Sequence, residues 1–118
     1  MNLNTLLQTL ERAPARVEFE DTISVIDALY DFTPAYFRNG DLTNPVGQNS
    51  GSCKIFAFAR QRGLSPQQTL ACFGRYYRED VLKHPEGADH QNIRNFIRHG
   101  WAEIHFDTMP LKLKTQQT

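Results

Sequence analysis

Leu3, Leu6, Leu7 and Leu10 recur at the spacing of one helix face, which predicts a short amphipathic helix that Pro14 ends. Phe19, Ile23, Ile26, Leu29 and Tyr30 repeat the pattern and predict a second helix over about residues 19–30. The periodicity then breaks. FTPAYFRNGDLTNP holds two prolines and Asn39-Gly40, a dipeptide suited to a tight turn with positive φ, so a hairpin is expected with arms 35–38 and 41–43. Ser50 or Ser52 can cap a third helix carrying Ile55, Phe56, Phe58 and Ala59, closed by Gly63. In LSPQQ, Ser65 supplies an N-cap, Pro66 a first-turn residue and Gln68 the reciprocal partner.

Leu70, Phe73, Tyr77 and Val81 continue as one stripe, so the fourth helix is expected to run unbroken to about Lys83, with Arg75, Glu79 and Lys83 outside and His84-Pro85 as the stop. Asp89 can cap a fifth helix whose Ile93, Phe96 and Ile97 face inward, with His90, Arg94 and Arg98 on another side and Gly100 at its end. The tail WAEIHFDTMPLKLK alternates loosely around Trp101, Ile104, Phe106 and Leu111, as one strand able to pair with the hairpin would. The expected fold is therefore α+β: a predominantly helical single domain of four or five helices with a small antiparallel sheet.

Composition narrows the function classes more than it names one. The 118 residues are 40% hydrophobic and 22% charged, as in a globular domain with one core. Thirteen basic residues balance 13 acidic ones, so no net field steers the chain toward nucleic acid or an anionic membrane. Acidic side chains lead before Tyr30 and basic ones between Lys54 and Gly100, which polarises the surface modestly. No apolar run has the length of a membrane span, and the start MNLNTLLQTLERAP lacks the pattern of a cleaved export signal. Cys53 and Cys72 form neither a disulfide framework nor a CxxC pair, so a reduced, cytoplasmic protein is expected. Secretion by a route that reads no cleaved signal is compatible with the same features.

Three groups of residues carry candidate chemistry. The first is NPVGQNSGSCKIFAFARQRG, where glycine-rich sequence feeds a helix, so that Gly51, Ser52 and Lys54 can face an anion. The spacing departs from the P-loop pattern GxxxxGK[ST], and a purely structural loop and cap accounts for the same residues. Cys53, in the first helical turn beside Lys54, is the candidate nucleophile, with a histidine such as His90 as its base; a packed, inert thiol is the alternative. The second group is EDVLKHPEGADHQNIRNFIRHG, in which His84, Asp89 and His90 form a candidate imidazole and carboxylate metal set, without the spacing of HExxH. Capping and surface roles explain those three positions equally. The third is arginine: Arg75, Arg94 and Arg98, with Arg78, can hold an anionic ligand or lie in a salt-bridged face. Tyr36, Phe37, Tyr76 and Tyr77 need not all fit inside the core, which leaves a groove for a protein partner as an alternative.

Four ordered motifs, YDFTPAYFRNGDLTN at 30–44, GQNSGSCKIFAFA at 47–59, TLACFGRYYREDVLKHPEG at 69–87 and DHQNIRNFIRHGW at 89–101, resemble the HopJ family of type III effector proteins. The resemblance covers most of the chain beyond the first helix. It implies a bacterial, effector-like protein acting through interaction, in the cytoplasm or after type III secretion, and it brings no catalytic residues or cofactor with it.

Overall fold

A computed structural model of the chain describes residues 1–114. Helix α1 spans Leu3–Arg12; Asn2 caps it by accepting the Thr5 amide at 2.8 Å, and Leu6 and Leu10 form its buried stripe. Helix α2, Phe19–Leu29, starts with a capping box in which Asp21 accepts the Glu18 amide, and buries Thr22, Val25 and Ile26. It runs directly into strand β1, Tyr30–Phe32. Strands β2, Phe37–Asn39, and β3, Leu42–Asn44, form the hairpin around Gly40, which takes φ +64.

Helix α3, Ser50–Arg62, is the centre of the molecule. Cys53, Ile55, Phe56, Ala57, Phe58 and Ala59 are all buried, so it is apolar around most of its girth, as a helix enclosed by other elements must be. Gly63 ends it at φ +66 in the expected left-handed cap. Phe56 is the hub: its ring lies 5.1 Å from Phe96, 5.4 Å from Phe73, 6.2 Å from Trp101 and 6.3 Å from Phe37.

The fourth helix is interrupted. Helix α4, Pro66–Ala71, has the expected Ser65–Gln68 capping box, then Gly74 turns the chain at φ +61, and a π-helical turn follows over Tyr76–Val81. A Cβ on residue 74 would stand 2.5 Å from the Phe19 nitrogen, so glycine is required where this turn meets the start of α2. Helix α5, Gln91–His99, packs on α4 and on the hairpin. Strand β4, Ile104–Phe106, pairs antiparallel with β2, the terminal strand pairing expected from sequence. A second, two-stranded sheet was not foreseen: β1 pairs with β5, Leu111–Leu113. One core cluster joins the helices to β1, β2, β4 and β5, giving a single α+β domain. Among the described residues no helix is long and apolar enough to cross a membrane.

Candidate functional site

Two helices begin at the same place. α3 and α5 both start from a non-glycine residue in the left-handed region, Asn49 at φ 52 and His90 at φ 50, and neither cap residue accepts a first-turn amide with its side chain. The first intrahelical bonds are Cys53 N–H to Asn49 and Arg94 N–H to His90, which leaves the amides of Ser50, Gly51 and Ser52, and of Gln91, Asn92 and Ile93, outside the helical ladders. Asn44, fully buried at the end of β3, ties the two starts together. Its Oδ1 accepts from Asn49 Nδ2 at 2.7 Å and from Asn92 Nδ2 at 2.8 Å. Asn39 adds a bond from its Nδ2 to the Asn92 carbonyl at 2.8 Å, and Asn95 donates to the Asn39 carbonyl at 2.9 Å.

Between the two starts lies a cleft of about 460 Å³, lined by Asn49, Gly51 and Ser52 from α3 and by His90, Gln91 and Asn92 from α5. Phe19, Phe73 and Tyr76 supply its aromatic wall. A Cβ at residue 51 would stand 2.8 Å from the Phe19 ring, so Gly51 is what lets that ring close against α3. Tyr76 packs edge-on to Phe19 at 5.1 Å and lies 5.2 Å from the His90 ring, tilted by 34°. His90 Nε2 is 3.0 Å from Asp80 Oδ2 and 3.8 Å from Asp89 Oδ2, so the π-helical turn supplies both an aromatic face and a carboxylate to this imidazole.

The glycine-rich loop and the histidine region thus meet, but only some of the residues singled out by sequence line the cleft. Gly51, Ser52 and His90 do. Lys54 lies elsewhere, paired with Asp27 at 2.8 Å and set over the Phe32 ring. Cys53 is buried in the core; burial pushes its thiol up, against a smaller opposing effect of a backbone hydrogen bond from Ala35. Cys72 is pushed up to about 12 by burial, opposed by a hydrogen bond with Thr22. Neither thiol lines the cleft.

Arg94 is a builder of the preceding loop. Its buried guanidinium donates to the Asp89 carbonyl and to Asp89 Oδ1, both at 2.6 Å, and to the His84 carbonyl at 2.9 Å. The Arg94 hydrogen bond, the largest influence, holds the Asp89 carboxyl below the usual carboxylate range. His84 is exposed and contributes its carbonyl to this clamp, while the side-chain cluster with metal-ligand spacing is Asp80, Asp89 and His90. Arg98 is exposed beside Val81, Leu82 and Pro85. Arg75 and Arg78 are paired across to Glu20 at 2.9 Å and Glu18 at 2.8 Å, so the four arginines do not form one patch. Of the aromatics weighed for a partner, Phe37 is fully buried and Tyr76 belongs to the cleft wall.

Nothing in the sequence singles out Asn44; Phe19 and Tyr76 are expected from it in a helix stripe and on a partner surface rather than in the cleft wall, and Asp80 lies in the histidine and carboxylate run without being placed in the metal set. Only the density of asparagines near turns, at 39, 44, 49 and 92, signalled a polar network, and nothing local showed that its members meet.

The family model described as HopJ type III effector protein matches residues 3–111. The chain belongs to this family. A solved crystal structure of the unknown-function protein VPA0580 superposes with a TM-score of 0.94 at 54% identity, covering 97% of this chain and 95% of that one. A search of curated proteins gave no match. The HopJ description names an effector and no chemistry, and the candidate chemistry of this HopJ chain lies in the cleft.

Proposed function

We propose that this HopJ protein acts by binding, and that its ligand is a small molecule bearing a phosphate or carboxylate group on a flat or apolar body. The observation that carries this is the convergence of two helix starts without side-chain caps on one cleft. Orphan first-turn amides and the positive ends of two helix dipoles favour negative charge there. The cleft is within the usual range of small-ligand sites, and the rings of Phe19 and Tyr76 offer an apolar seat beside the polar one. Ser52 supplies a hydroxyl, and His90 an imidazole whose Nε2 lies 3.0 Å from Asp80 Oδ2. In the effector reading of the family, the protein is delivered by a type III apparatus and sequesters or senses such a ligand after delivery.

The test is titration of inorganic phosphate and of phenyl phosphate into EDTA-treated protein, followed by amide chemical shifts. Saturable shifts at Gly51, Ser52, Gln91 and Asn92 are expected, with phenyl phosphate the tighter ligand. Shifts confined to other surfaces, or none at all, would reject the reading.

A further inference from the structure

We propose that Asp80, Asp89 and His90 hold a divalent first-row cation, of the zinc or manganese class, at the edge of the cleft. One atom from each, the imidazole nitrogen and two carboxylate oxygens, lies within 4.8 Å of the others. Imidazole with two carboxylates suits these ions, and bond lengths of about 2.0 to 2.2 Å need only a modest contraction of the set.

The surroundings are those of an oriented ligand set. Arg94 grips Asp89 Oδ1 and leaves Oδ2 turned toward His90, and it is itself held by two backbone carbonyls. Tyr76 fixes the plane of the His90 ring, and the left-handed backbone of His90 sets where that ring leaves the chain. The three residues come from two segments brought together by packing of the π-helical turn against α5, so the set exists only in the folded protein. His84, the ligand expected from sequence, is replaced by Asp80.

The three ligands can hold the cation without an anion in the cleft. Where the proposed anionic ligand also binds, the cation neutralises Asp80 and Asp89, the two acidic groups that oppose an anion beside His90, and offers open positions to its oxygens.

The experiment is a calorimetric titration of metal-stripped protein with zinc alone in phosphate-free buffer, paired with manganese-induced broadening of amide signals. One equivalent of zinc is expected to bind, and Asp80→Asn is expected to weaken it by about tenfold or more, with His84→Ala unchanged. Manganese should broaden Tyr76, Asp80, Asp89 and His90 first. No saturable zinc binding, zinc binding indifferent to Asp80→Asn, or broadening centred on other carboxylates would each overturn the assignment. The manganese map uses the unaltered chain, so a variant that fails to fold does not leave the question open. Phosphate is titrated without metal and metal without phosphate, so either proposal can fail alone.

Discussion

Asn44 shows how a single side chain builds the cleft. Its Oδ1 accepts from both helix starts, and its Nδ2 donates to Asn92 Oδ1 at 3.2 Å, so β3, α3 and α5 are joined through one buried amide. Replacing it with alanine leaves two donors without an acceptor, one of them on the buried Asn92. Asn49 is exposed and can bond water, whereas an unsatisfied buried donor costs about 1 to 3 kcal/mol, so Asn44→Ala is expected to lose about 1 to 3 kcal/mol in urea unfolding. The same variant should also reduce the phosphate-induced shifts at Gly51 and Gln91 together, because nothing then holds the two starts in register. Stability equal to that of the unaltered protein would mean that water reaches and satisfies the Asn92 donor as well. The asparagines were visible in the sequence, but a short amide has no periodicity, and its partners lie 48 residues apart in the case of Asn44 and Asn92.

Periodic patterns foretold the first three helices and the fifth, and Asn39-Gly40 foretold the hairpin. What the patterns missed was decided by contacts between elements. The stripe Leu70, Phe73, Tyr77 and Val81 keeps helical spacing straight through Gly74, yet the chain breaks there because that glycine lies against the start of α2. Strands β1 and β5 are three residues each, too short for local preference to specify, and their pairing accompanies the packing of β5 against α3. The caps predicted at Ser50 or Ser52 and at Asp89 fell at Asn49 and His90, where Asn44 and Asp80 bond side chains in left-handed conformations that propensity ranks low. The junction of α2 with the π-helical turn also carries a charge pair. Glu20 lies 2.9 Å from Arg75, and the Arg75 hydrogen bond, its largest influence, lowers the Glu20 carboxyl from its ordinary value. A folded value below the unfolded one adds stability above the unfolded pKa, and that contribution disappears as pH falls through the folded value. Unfolding free energies of the unaltered protein and Glu20→Gln should therefore differ by a constant amount above about pH 5, and that difference should shrink as pH falls below the ordinary carboxylate range through the lowered folded value. A difference that persists to about pH 2 would show that the pair contributes nothing by charge.

At the scale of the whole molecule, the core and the cleft share α3 but use different faces and different turns of it. Phe56 sits in the middle of the helix, among Phe37, Phe73, Phe96 and Trp101, whereas Gly51 and Ser52 sit in its first turn at the cleft. Removing the Phe56 ring leaves a cavity that four rings on separate elements cannot all collapse into, and such truncations cost about 3 to 5 kcal/mol. Set against a total of about 5 to 15 kcal/mol for an ordinary domain, Phe56→Ala takes a large share of the stability. Ser52 is only partly buried, and no side-chain hydrogen bond of its hydroxyl stabilises the fold among the described residues, so Ser52→Ala should stay within about 0.5 kcal/mol of the unaltered protein. The two variants are expected to separate cleanly: Phe56→Ala lowers the urea midpoint while its folded fraction still binds phenyl phosphate, and Ser52→Ala keeps the midpoint but weakens that binding. If Ser52→Ala binds as well as the unaltered protein, the hydroxyl has no part in recognition and the backbone amides alone must carry it. If Phe56→Ala loses binding in proportion greater than its loss of folded protein, the core transmits its packing to the helix starts and the separation between scaffold and site fails.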